Sequence, residues 1–173
     1  MPDPATLRAS YLHCRRITRA AARNFFYAIY LLPAAKRDAL CALYAFMRRA
    51  DDISDLPGDV ESKLRQMAEW RRALDAALAG NYPDDPSWPA FHDTVRRFSI
   101  PPRYLHDLIS GTEMDLTISR YETFASLREY CYRVAGTVGL CCTYVFGFSD
   151  PRAVEYAESL GIAFQLTNIL RDI

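Results

Sequence analysis

The chain has 173 residues, 50% of them apolar and 13% aromatic, enough to bury a core within the size of one domain. Its 21 Lys and Arg balance 21 Asp and Glu, which argues against nucleic acid as a partner and against electrostatic attachment to an anionic membrane. Five cysteines, an odd number without a CxxC pair, argue against a disulfide or zinc framework and fit a reducing cytosol.

Met1 to Ser10 lack the apolar segment of a signal peptide. From there on, apolar residues recur at steps of three and four with the breakers between segments, which predicts an all-α fold. The helices are expected at 6–21, 25–31, 34–54, 60–79, 89–98, 102–117, 123–146 and 151–173, as a single domain. Ile100-Pro101-Pro102 and Ser149-Asp150-Pro151 stop one helix and start the next, and Asn81 to Pro86 reads as a surface loop. The uncharged run from Val134 to Ser149 is shorter than the roughly 20 residues of a membrane span and reads as a buried helix. No glycine-rich phosphate loop follows a strand, so Rossmann and P-loop nucleotide binding have no support.

The first chemical signal lies in the helix at 34–54. Its apolar stripe Leu40, Tyr44, Met47 runs at helical spacing into Asp51 and Asp55, so two carboxylates one turn apart inherit the inward face, with Arg48 beside them. Like charges four apart repel, and burying them unpaired costs more, so a partner must neutralise them. The plain alternative is a solvated acidic helix end.

The second signal lies near Ile173, where Gln165, Asn168 and Asp172 share one face. Gly161 sits on that face one turn earlier and leaves room for a ligand or another helix. Taken alone, this is equally the polar face of an ordinary amphipathic helix. Carboxylate and amide oxygens without histidine or thiolate are hard ligands suited to Mg²⁺, which bridges carboxylates to substrate phosphates. Two such patches therefore imply a diphosphate substrate, with Arg48 and Arg171 to bind its non-bridging oxygens.

Along nearly its whole length the chain resembles the squalene/phytoene synthase family of head-to-head prenyl transferases. The resemblance is carried by Asn24-Phe25-Phe26-Tyr27-Ala28, Leu31-Leu32-Pro33, Ala42-Leu43-Tyr44-Ala45-Phe46, Arg48 with Asp51-Asp52-Ile53-Ser54-Asp55, Gly111-Thr112-Glu113-Met114-Asp115-Leu116, Tyr132-Arg133-Val134-Ala135-Gly136-Thr137-Val138-Gly139, and Gly161 through Asp172. It implies an isoprenoid-synthase-type helical bundle around a central apolar cavity, with the family's C-terminal helices lying beyond Ile173.

The resemblance further implies that Asp51 and Asp55 form a first aspartate-rich motif and that Asn168 and Asp172 begin a second, both binding Mg²⁺. Arg48, Asp52 and Asp115 would belong to the diphosphate region, with Gln165 and Arg171 on the second helix. Tyr132 matches a tyrosine close to the reacting diphosphate, and Asp51, Asp55, Tyr132 and Asp172 are the expected catalytic set. Val134, Ala135, Gly136, Val138 and Gly139 match a kinked helix whose small residues open the prenyl channel, although glycines there serve close helix packing equally well. Asn24 stands where many relatives carry serine, and Phe25, Phe26 and Tyr44 offer aromatic faces to a prenyl cation.

The implied substrates are farnesyl or geranylgeranyl diphosphate. NADPH is admitted by the resemblance but marked by no residue pattern, and peripheral membrane contact for product release is admitted likewise. The rival readings are a head-to-tail prenyl transferase or terpene cyclase, against which the Tyr132–Gly139 string argues, and a non-catalytic helical relative or inactive fragment.

Overall fold

A computed structural model describes residues 2–55 and 57–172, the side chains of Arg23 and Asn24 excepted. In chain order the helices are α1 (Pro4–Ala21), α2 (Arg23–Tyr30), α3 (Ala34–Asp55), α4 (Val60–Leu78), α5 (Trp88–Arg97), α6 (Pro102–Thr117), α7 (Phe124–Cys131), α8 (Thr137–Phe146) and α9 (Arg152–Arg171). A π-helical turn, Tyr132–Gly136, joins α7 to α8. The described residues contain no strand, as the apolar spacing predicts.

Local chemistry sets the helix ends. The Asp3 carboxylate accepts the Ala5 and Thr6 backbone N–H groups, Asp59 accepts that of Ser62, and Thr123 and Ser126 form a capping box, each satisfying donors that lack helical partners. Asp150 accepts the Arg152 N–H at 2.9 Å, and Pro102 opens α6. The sequence reading differs from the structure chiefly at 123–146, expected as one helix and found as two α-helices with a π turn between them. Ile173, expected at the end of the last helix, lies outside the described residues.

α3 is the central element, and its faces explain the packing. Small residues Cys41, Ala42 and Ala45 let α1 approach with its buried Cys14. Phe46, Ala50 and Ile53 face the main core with Trp70 of α4 and Phe91 of α5. There Phe46 stacks on Phe91 at 4.6 Å and on Trp70 at 5.5 Å, and Trp70 meets Trp88 at 4.5 Å. Such aromatic pairs add about 0.5–1.5 kcal/mol each beyond their area burial. The third face of α3 turns to a pocket. All five cysteines are free, and no helix among the described residues is long and apolar enough to cross a membrane.

Candidate active site

The stripe on α3 lines one wall of a pocket of about 430 Å³: Leu40, Leu43, Tyr44 and Met47 in its apolar part, Arg48 and Asp51 at its polar end. Phe25 and Ile29 of α2, Leu108, Thr112 and Asp115 of α6, Val134 of the π turn, and Val138 and Cys142 of α8 complete the lining. Leu40 and Leu43 are buried whereas Asp51 and Asp115 are exposed, so the polar end is the mouth. With a rise of about 1.5 Å per residue, the wall from Leu40 to Asp51 is roughly 16 Å long.

Negative charge accumulates at this mouth. Although Asp51 is open to solvent on one side, the pocket wall strips part of its hydration and pushes its carboxyl up to about 6; Arg48 opposes the shift, and Asp55, Asp52 and Asp115 reinforce it. Burial also raises Asp115, and the nearby Tyr130 hydroxyl opposes that shift. Arg48 is engaged with Asp52 at 2.6 Å. None of Asp51, Asp55 and Asp115 forms an ion pair with a described side chain. Three unpaired carboxylates on two helices at the end of an apolar pocket carry a charge excess that a divalent cation or a bound cationic group would relieve. Oxygen-only donors fit Mg²⁺, while no three His, Cys, Asp or Glu side chains among the described residues converge into a ready cage.

The second expected patch does not border this pocket. α9 packs on the π turn, α8 and α7, and Gln165, Asn168, Arg171 and Asp172 do not line the pocket. Asn168, Arg171 and Asp172 are exposed, and Arg171 pairs with Asp172 at 2.8 Å, holding that carboxyl below its ordinary range. The four-oxygen set Asp51, Asp55, Asn168 and Asp172 is therefore not assembled from side chains alone. Gly161, left open in the sequence as a ligand or helix contact, is a helix contact: a Cβ there would stand 2.6 Å from the Ala135 carbonyl oxygen. Gly139 similarly meets the Ala157 carbonyl, at 2.9 Å. Gly136 lies under the Tyr132 ring, and these glycines serve packing rather than widen the pocket.

Tyr132 turns away from the mouth and donates its hydroxyl to Asp107 at 3.2 Å. The tyrosine joined to the acidic cluster is Tyr130, whose ring stacks on Tyr121 at 5.1 Å. Burial and the Asp115 charge both raise the Tyr130 phenol, which keeps it a hydrogen-bond donor. Phe25 and Tyr44 reach the pocket. Phe26 instead meets Tyr27 edge to face and Tyr30 at a tilt, and Ala135 does not line the pocket. The Asn24 side chain lies outside the described residues. Tyr130 was readable from its spacing, four before Val134, but Tyr121 comes from a loop and carried no periodic signal.

An all-α bundle whose apolar pocket opens between carboxylates and a guanidinium is of the isoprenoid-synthase class. The chain belongs to the squalene/phytoene synthase family, whose sequence pattern matches residues 18–173. It is 41% identical to phytoene synthase of Arthrospira platensis over 100% of this chain and 60% of the relative, and 39% identical to 15-cis-phytoene synthase of Synechococcus elongatus over 98% and 58%. Among solved structures it resembles a dehydrosqualene synthase (TM-score 0.82, 33% identity, 95% of this chain and 57% of that one). It also resembles squalene synthase HpnC of Alicyclobacillus acidocaldarius (TM-score 0.86, 28% identity, 95% and 62%). The chain thus spans about 60% of the length of the curated relatives it matches.

Proposed function

We propose that the protein is a prenyl transferase that joins two prenyl diphosphates head to head, and that this chain supplies the pocket for a prenyl tail and the acidic mouth for a diphosphate. The observation that carries the reading is the pocket itself: apolar along roughly 16 Å and polar only where Arg48, Asp51 and Asp115 meet. A farnesyl or geranylgeranyl diphosphate has the same polarity, a long hydrocarbon with charge at one end. The relatives' names, phytoene synthase and dehydrosqualene synthase, support the same chemistry.

Mg²⁺ held by Asp51 and Asp55 would neutralise diphosphate oxygens and ease their departure. The family resemblance adds Asn168 and Asp172 as a second set of oxygens contributed by α9. Arg48 binds non-bridging oxygens through charge-assisted hydrogen bonds and stabilises the leaving diphosphate. Tyr130 orients Asp115, while Tyr44 and Phe25 present aromatic faces beside the carbon that becomes cationic when the carbon–oxygen bond breaks. The double bond of a second prenyl chain supplies the electron pair for the new carbon–carbon bond, and a proton is lost as the cyclopropane closes.

Incubating the protein with Mg²⁺ and labelled farnesyl or geranylgeranyl diphosphate tests this. Diphosphate and a C30 or C40 product should form, and Asp51→Asn should reduce turnover at least a hundredfold, the scale of losing one transition-state electrostatic contact. Undiminished Mg²⁺-dependent diphosphate release by that variant refutes the assignment.

A further inference from the structure

The wall facing α3 runs from α7 through the π turn into α8. Its site-facing residues fall at steps of four: Tyr130 on Asp115, then Val134, Val138 and Cys142 on the pocket. An uninterrupted α-helix turns about 100° per residue, so Cys142 would face roughly 120° away from Tyr130. The π turn at Tyr132–Gly136 accommodates one extra residue. That removes about 100° of the drift and leaves the two within roughly 20° of each other. The insertion makes a continuous wall out of a helix that would otherwise spiral out of the pocket.

A π turn needs holding, because it gives up ordinary helical hydrogen bonds. The Thr137 N–H donates to the Tyr132 carbonyl five residues back, and the fully buried Thr137 hydroxyl donates to the Arg133 carbonyl at 2.7 Å. From α6, Asp107 accepts the Tyr132 hydroxyl at 3.2 Å and stands 3.8 Å from the Arg133 guanidinium. Gly111 of α6 and Gly161 of α9 press on the turn from two sides: a Cβ on the first would lie 2.9 Å from Arg133 Cβ, and on the second 2.8 Å from Gly136 Cα. The turn is held by bonds at both a carbonyl and a side chain.

We propose that Thr137 and the Tyr132–Asp107 pair are positioning residues, which hold the register of the π turn and through it present Val134, Val138 and Cys142 to the prenyl tail. This rests on the prenyl diphosphate reading of the pocket. Neither Thr137 nor Asp107 touches the tail; both act through the turn.

Two ligands separate positioning from simple stability: inorganic diphosphate, which needs only the mouth, and farnesyl thiodiphosphate, which also needs the wall. Calorimetric titration with Mg²⁺ present should show Thr137→Val weakening the thiodiphosphate at least tenfold while inorganic diphosphate changes less than twofold. Thr137→Ser, which keeps the hydroxyl, should retain the wild-type ratio of the two affinities, and Tyr132→Phe should lower that ratio in the same direction as Thr137→Val. Equal losses for both ligands, or no loss, in Thr137→Val and Tyr132→Phe alike overturn the proposal and leave the prenyl reading standing. A wild-type chain that binds neither ligand overturns the prenyl reading, and the proposal with it.

Discussion

Arg48 reaches the Asp52 carboxylate at 2.6 Å, one helical turn on, and leaves Asp51 at the pocket mouth without an ion pair among the described residues. The guanidinium is thereby parked beside the site on a partner that a diphosphate can replace. The pair is partly exposed, so it contributes at most about 1 kcal/mol to folding. Asp52→Asn should accordingly change the unfolding midpoint in urea little. Arg48→Ala should lower Mg²⁺-dependent affinity for inorganic diphosphate about tenfold, the worth of one charge-assisted hydrogen bond. An unaltered affinity would remove Arg48 from the site.

Asp51 makes the metal-free chain pH-sensitive. Its carboxyl is raised from 3.8 to about 6 by burial first, then by its acidic neighbours against the pull of Arg48. The folded chain therefore holds this proton more tightly than the unfolded chain. Stability from this group is present below about pH 4 and lost as pH rises through about 6. Asp51→Asn should match the wild type in thermal stability near pH 4 and exceed it at pH 7. The gain should be on the order of 1 kcal/mol, since solvent on the open side screens the charge. A variant less stable than wild type at pH 7 contradicts this.

Gly161 and Gly136 differ in what a methyl group would strike. At Gly161 it meets backbone, 2.6 Å from Ala135 O, whereas at Gly136 it meets the edge of the Tyr132 ring at 3.1 Å. Gly161→Ala should cost about 1–3 kcal/mol through overpacking, the helix propensity of alanine notwithstanding. Gly136→Ala should cost less, because a ring can tilt where a peptide cannot. Urea denaturation of both variants decides it, and the reverse order would show that α9 moves freely against the π turn.

Cys142 of α8 and Leu40 of α3 both line the pocket. Cys142→Phe should fill the apolar end and weaken farnesyl and geranylgeranyl thiodiphosphates while leaving inorganic diphosphate binding unchanged. The loss should be larger for the longer chain. Equal weakening of both prenyl ligands would place this side chain away from the tail's terminus.

The helices, their caps and the stripe from Leu40 to Asp51 were legible because they obey local rules: a period near 3.6, prolines in first turns, and side chains that cap donors a few residues away. Arg48 and Asp51 stood on a stripe whose chemistry can be named from residue type and spacing, whereas Asp115 was marked only by the family resemblance. The choice of tyrosine was not legible. Tyr130 and Tyr132 lie two apart, and which one meets Asp115 depends on a rotation fixed by the π turn, whose register is set by Asp107 and Gly111 of α6 and by Gly161 of α9. Nor could the sequence place α9: its polar face recurs at helical spacing whether or not it meets Asp51. Periodicity is a property of one helix, whereas the direction a helix faces is decided by the neighbours packed against it, and those contacts join residues far apart in the chain.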